Sequence, residues 1–477
     1  MSLAVPTAAL ILSNYFLASG GPDWVQAIAK GCATICRDPT TQWMAFASLT
    51  AYAIIFLALQ SRRPGVHRWW TPGNADLWLA GLFGLVLFHY VRYDDPGADT
   101  MPALILLGAI VWAKAVSAGL GREGSDSGSA LGWMAGALAF LLAGLAVWRP
   151  KMAEFEYRNI TRWSGVWGNP NLFGLMMGAG LLLSLGMMMD RSLKRPIQPG
   201  SASGLETPRR LIFIGLFVIA SLICGYALVR SYSRGAWIGT VFGLIYLAGS
   251  VVTRTAAPGY TSLEAGHPAF AQRLGSWTRR NGLVVALIIV SIGVLGYWQF
   301  QHSRRERVVN RIVSVTNAND FSWRNRIAAW EGALQILDEN AWMGTGLARP
   351  EPLFQQYYLP AKLTDGAAIQ MNDYLMLGAA LGMPVLACLA ACVGLALFGD
   401  SPPGFQTPGF APATCRAGAL VLAIGFWFDG GLLELGTTSA FWVLLELGRL
   451  NLSALPETGA PSATAWGVRA GRRIGIV

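Results

Sequence analysis

Stretch after stretch of this chain runs for the length of a membrane span with almost no charged residue. A helix crossing the hydrocarbon core needs roughly 17–25 mostly apolar residues, because each backbone N–H and C=O must be bonded within the segment. About twelve stretches meet that requirement. They lie near 3–19, 42–60, 76–93, 101–120, 129–148, 171–189, 211–229, 235–252, 283–300, 374–398, 416–433 and 437–455. Composition agrees: 53% of the 477 residues are hydrophobic and 13% charged, where a soluble domain carries about 25% charged residues. Mean hydropathy is +0.43. The 19 tryptophans and 56 glycines suit helices anchored at lipid interfaces and packed closely inside a bilayer. The expected fold is all-α: a polytopic membrane protein of about twelve transmembrane helices, one integral membrane domain over residues 1–477. The first stretch, Leu3 to Leu17, lacks a basic leader region. It reads as a span rather than a cleaved signal, although Ala18-Ser19-Gly20 resembles a cleavage site.

The basic residues orient these spans. Arg62, Arg63 and Arg68 occupy loop 61–75. Arg191, Lys194, Arg195, Arg209 and Arg210 occupy loop 190–210, and Arg254, Arg273, Arg279 and Arg280 loop 253–282. Arg469, Arg472 and Arg473 occupy the tail. All four segments fall on one side of a twelve-span chain, which the positive-inside rule makes cytoplasmic. The net charge of +10 is therefore read as an orientation signal, and nucleic acid is not expected as a partner; membrane lipids are. The six cysteines and four histidines show no metal-ligand spacing, and no metal or other cofactor is expected. Cys224, Cys388 and Cys392 fall in apolar runs as packing residues; Cys32 and Cys36 lie in an external loop, as a disulfide or as two thiols.

The opposite face then holds segments 20–41, 149–170, the junction Arg230-Ser-Tyr-Ser-Arg234 and a large periplasmic loop, 301–373. Three of them carry arginines that orientation does not require: Arg149, Arg158 and Arg162; Arg230 and Arg234; and Arg304, Arg305, Arg307, Arg311, Arg324 and Arg326. An arginine offers a planar fork of donors matched to phosphate oxygens. A set of them at a membrane surface suits a diphosphate, including one that leaves during reaction. The competing reading is snorkelling to lipid head groups or pairing with local acids. For Arg230 and Arg234 the cost of charge between closely spaced spans favours function. Within the large loop, Trp323, Ile327, Trp330, Leu334 and Leu337 recur at helical spacing. They predict a helix lying in the interface or packed on the protein's own outer surface.

Several short blocks resemble those of the O-antigen ligase and O-antigen polymerase superfamily. They are Trp167-Gly-Asn-Pro-Asn171, Ser233-Arg-Gly-Ala-Trp237, Asp320-Phe-Ser-Trp-Arg324-Asn-Arg326 with Trp330, Gly344-Thr-Gly346, and Asn372-Asp-Tyr-Leu375 followed by Gly382. They keep the family's order over a ligase-like core spanning roughly 160–400. The resemblance implies a metal-independent glycosyltransferase of the bacterial inner membrane, with its active face periplasmic. It would move a glycan from an undecaprenyl-diphosphate carrier to an acceptor hydroxyl. That acceptor is lipid A core in a ligase and another carrier-linked repeat in a polymerase. The resemblance assigns diphosphate binding to Arg234, and to Arg324 or Arg326. Arg230 joins them by position, with Arg158, Arg162, Asn171 and Asn372 as further candidates. Family ligases carry a histidine just before the Asn of the closing block; Met371 stands there, and a methionine takes no proton. Asp373 is the nearest carboxylate to serve as the base, with Asp365 and Glu351 behind it. Asp373 also fits a helix N-terminal residue favoured by the dipole, and that reading ranks ahead of the base. Two other functions stay open: a lipid-linked oligosaccharide transporter, which the missing repeat between halves disfavours, and an inactive carrier-binding relative, which Met371 favours.

Overall fold

The computed structural model describes residues 48, 50–59, 74–92, 96–120, 127–147, 154–157, 160–193, 206–256, 321–359, 372–399 and 410–450. The expected spans near 3–19 and 283–300 lie outside them, as do Arg158 and Met371. The helices are α1 (Thr50–Leu59), α2 (Asn74–Arg92), α3 (Pro96–Leu120), α4 (Ser127–Val147), α5 (Pro170–Leu193), α6 (Glu206–Ser231) and α7 (Arg234–Ala256). After residue 320 come α8 (Phe321–Glu339), the short α9 (Pro350–Leu353), α10 (Asp373–Leu381), α11 (Met383–Phe398), α12 (Ala411–Phe428) and α13 (Leu435–Arg449). Among the described residues, six helical stretches, Ala75–Arg92, Asp99–Leu120, Ala130–Val147, Pro170–Asp190, Leu211–Ser231 and Ala411–Phe428, are long and apolar enough to cross a membrane; α1 and α11 are shorter apolar helices. The chain is an all-α polytopic membrane protein. The one departure among the described residues is an antiparallel hairpin within loop 149–170. Its strands, β1 (Glu154–Tyr157) and β2 (Ile160–Trp163), pair Glu154 with Trp163 and Tyr157 with Ile160.

Helix α5 is the axis of the bundle, packed against α4, α6, α7 and α12. Its small residues make this possible. A Cβ on Gly174 would stand 2.6 Å from Ser231 Oγ, and one on Gly178 2.3 Å from Thr240 Oγ1. In lipid, where apolar surface is no drive to associate, such close backbone approach is the main source of helix adhesion.

The apolar run 374–398, expected as one span, is two helices. Gly382 takes φ +82 between α10 and α11, and Pro384 sits in the first turn of α11. The Met383 amide donates to Ala341 O at 2.7 Å, and a Cβ on Gly382 would lie 2.5 Å from Trp342 O. The break is set by the segment that follows α8, which lies against it. Gly344-Thr-Gly346 completes this contact: Thr345 N donates to Ala379 O and Gly346 N to Ala380 O, which satisfies carbonyls at the C-terminal end of α10.

Helix α8 is present in the large loop, but the face it buries differs from the apolar stripe. Asn325, Ala328, Ala329, Ala333, Ile336 and Leu337 are buried, while Ile327 and Leu334 are exposed. The small residues let the helix lie close on α10, leaving part of the large apolar stripe facing outward.

A half-buried ionic cluster ties α2, α3 and α13. Lys114 contacts Asp76 and lies 2.9 Å from Glu446; Arg449 lies 2.8 Å from Asp76 and 2.6 Å from Glu446.

Candidate functional site

Several of the residues singled out in the sequence, among them Arg162, Asn171, Arg234, Arg326 and Asp373, lie at the end of the bundle where α7, α10 and α13 begin and α6 and α12 end. At the start of α5, Gly168 takes a left-handed φ of +63, and Asn169 Oδ1 accepts the Asn171 amide at 2.9 Å. Pro170 fills the first helical position, where a missing N–H costs nothing. Asn171 Oδ1 then accepts from Arg162 Nη2 at 2.6 Å, and Arg162 Nε donates to Ser231 O at 2.8 Å. Arg162, carried in on β2, therefore staples the α5 entrance to the last residue of α6.

The junction between α6 and α7 is only Tyr232 and Ser233. Buried Tyr232 takes φ 51, a conformation that costs a non-glycine residue roughly 1 kcal/mol or more. Ser231 Oγ accepts the Ser233 amide at 3.2 Å, and Ser233 Oγ caps α7 by accepting from Ala236 N at 3.2 Å. The Ser233 hydroxyl itself donates to Asp429 Oδ2 at 2.9 Å. Trp237 Nε1 donates to Leu228 O at 3.2 Å, and Gly235 leaves the room Asp429 occupies: a Cβ there would be 2.3 Å from Asp429 Oδ2. Each of these four residues of the Ser233–Trp237 block thus has a job at the bend.

Asp429 is the meeting point. Its side chain is 1% exposed, and Oδ1 pairs with Arg326 Nη2 at 2.7 Å. Arg326 Nε donates to Phe428 O at 2.9 Å, and its guanidinium carbon lies 5.9 Å from the centre of the Trp323 ring. A continuous path of hydrogen bonds and one helix bend therefore runs Asn171, Arg162, Ser231, Ser233, Asp429, Arg326. Arg324, two residues earlier, is exposed; positions i and i+2 of a helix face different directions.

Arg234, at the head of α7, is buried, and Arg230, in the last turn of α6, is half-buried. The guanidinium carbon of Arg230 lies 5.3 Å from the centre of the Trp163 ring, and that ring meets Tyr226 edge-on. No acidic side chain among the described residues pairs with Arg230. Its Nε is buried with no hydrogen-bond partner among the described residues, as are Trp167 Nε1, Trp330 Nε1 and Asn372 Nδ2. Buried donors of this kind ordinarily find an acceptor in water or in a ligand.

Asn372 caps α10, its Oδ1 accepting from Tyr374 N and Leu375 N. Asp373 follows, just ahead of the apolar run. Its carboxylate is buried and accepts the amide of Leu432 in the α12–α13 turn. Burial pushes its pKa up to about 7, with the Leu432 amide opposing, Glu434 adding to the rise and the Gly431 amide opposing. Glu434 is itself raised by burial. Glu351 accepts from Gln355 Nε2 on the short helix after α8, and Asp365 lies outside the described residues.

Sequence reasoning missed Asp429. The signal was there: a carboxylate inside the candidate span 416–433, and ionisable groups within spans default to function.

Residues 219–390 match the family model described as O-antigen ligase. The match takes in Arg230, Arg234, Arg326, Asn372 and Asp373 and leaves out Arg162, Asn171 and Asp429. No curated protein and no solved structure matches the chain.

Proposed function

We propose that this chain, whose residues 219–390 match the O-antigen ligase family model, transfers a glycan from an undecaprenyl-diphosphate carrier to an acceptor hydroxyl at the periplasmic face of the bacterial inner membrane. The observation that carries this reading is the Ser233–Asp429–Arg326 link. It brings the arginines of the α6–α7 bend and the arginine of the large loop to one end of the bundle. Arg230, Arg234 and Arg326 then hold the diphosphate, and Arg162 keeps the bend in place.

During transfer the acceptor oxygen forms a bond to the anomeric carbon as the bond from that carbon to the diphosphate oxygen breaks. The hydroxyl proton leaves to a base or to water. Negative charge grows on the departing diphosphate, and fixed guanidinium groups stabilise it more than they stabilise the bound donor. Removing one such donor group costs on the order of a hundredfold or more in turnover.

The test is transfer by the full-length protein in lipid nanodiscs, given an undecaprenyl-diphosphate oligosaccharide and either lipid A core or further carrier-linked oligosaccharide. Transfer by wild type, with a loss of at least about a hundredfold in Arg230→Ala and Arg234→Ala, is the expected result. The productive acceptor separates a ligase from a polymerase. A wild-type protein that moves no glycan to either acceptor, yet binds the carrier, would overturn the transferase reading in favour of a carrier-binding or transporting role.

A further inference from the structure

The turn between α12 and α13, residues 429–434, is held from two sides. Gly430 and Gly431 take φ +71 and +120, a backbone path that leads into the Leu432 amide, which Asp373 Oδ2 at the head of α10 accepts. From α13, Thr437 Oγ1 donates to Gly431 O and Thr438 Oγ1 to Leu432 O. The turn opens with Asp429, whose carboxylate holds Ser233 and Arg326. Three elements distant in sequence, the heads of α7 and α10 and the first turns of α8, thus take their positions from six residues of backbone.

We propose that Asp373 is a positioning residue: by holding the Leu432 amide it sets the turn that opens with Asp429, and through Asp429 it sets Arg326 for the diphosphate. The carboxylate does not reach the reacting atoms. It is buried, with Oδ2 committed to the Leu432 amide in the α12–α13 turn. Its neighbour Asn372 keeps the cap of α10, so the two residues of this block divide the work. Asn372 starts the helix, and Asp373 ties that start to the turn. The inference rests on the reading of Arg326 as a diphosphate ligand.

The experiment uses the full-length protein in nanodiscs with farnesyl diphosphate as a soluble diphosphate-lipid probe. Asp373→Ala is expected to weaken farnesyl diphosphate binding about tenfold and to cut transfer about a hundredfold, the scale of a misplacement near one ångström. Asp373→Asn keeps one acceptor oxygen and is expected to retain transfer within about tenfold of wild type. For Asp373→Ala the loss should divide between a raised KM for the donor and a lowered kcat, with KM for the acceptor unmoved. Because Asp373 acts through Arg326, adding Asp373→Ala to Arg326→Ala should cost no further affinity, where independent sites would add. A general base would behave differently: Asp373→Asn as inactive as Asp373→Ala, with donor affinity intact. That pattern, or additive losses in the double variant, overturns the proposal. Should wild type bind no farnesyl diphosphate and transfer nothing, the functional reading fails on its own. The positioning role is then judged by hydrogen exchange. Faster exchange in both 429–434 and 321–330 on Asp373→Ala supports it, and unchanged exchange in 321–330 overturns it.

Discussion

Arg324 and Arg326 are chemically the same and two positions apart on one helix, yet only Arg326 meets a carboxylate. The helix sets the difference: Arg326 turns toward α12 and Asp429, Arg324 toward the outside. Arg326→Ala should therefore reduce transfer far more than Arg324→Ala, measured as kcat/KM on one lipid-linked donor. Arg326→Ala also strands Asp429 as a buried charge, which should cost about 3–5 kcal/mol of stability, read as a lower melting temperature in detergent. Asp373 titrates in the opposite sense to a salt-bridged carboxylate. Burial raises its pKa from 3.8 to about 7, so the folded state holds its proton more tightly than the unfolded chain. Its contribution to stability is full below pH 3.8 and is lost as pH rises through about 7, because folding then buries a charge. Melting temperatures of wild type should fall relative to Asp373→Asn between pH 4 and pH 7; parallel curves for the two proteins would contradict the burial argument.

At the scale of elements, the boundaries decide more than the helices do. Pro170 and Asn169 start α5, Ser233 starts α7, and Asn372 starts α10; each cap also faces the site. The Gly344–Gly346 segment ends the α8 region by docking on the C-terminal end of α10. Gly344 takes φ +58, and a Cβ there would lie 2.3 Å from the backbone of Ala380. Gly344→Ala should destabilise the protein by more than about 1 kcal/mol and loosen α10, seen as faster hydrogen exchange in 373–381. The break at Gly382 shows why an apolar run is a poor guide to helix continuity. Hydropathy over 374–398 is unbroken, but the Trp342 carbonyl occupies the space a side chain at 382 would need. The stripe on α8 carries the same lesson. Periodicity identified the helix, while the small face of Ala328, Ala329 and Ala333 decided which side lies on the bundle.

Across the whole molecule, the candidate site and the ionic cluster of Asp76, Lys114, Glu446 and Arg449 stand at opposite ends of α13. From Leu435 to Arg449 the helix runs on the order of 20 Å, at about 1.5 Å per residue. Lys114→Ala should lower stability by leaving two acids to one arginine, while surviving folded protein keeps its KM for donor; a changed KM would show the two ends to be coupled. The sequence by itself determined the membrane class, the helical fold and the blocks from which the site is drawn, because hydrophobic length and charge placement answer to the bilayer, whose properties are the same for every chain. The bend at Arg230–Arg234 was legible for the same reason: charge between two spans is costly wherever it occurs. Only the tertiary structure decided which arginine pairs with Asp429, that Asp373 grips a turn about sixty residues away in sequence, and that the run 374–398 breaks at Gly382. Those outcomes depend on what lies across a helix interface, and a carbonyl or carboxylate brought there by a distant segment leaves no mark on local periodicity.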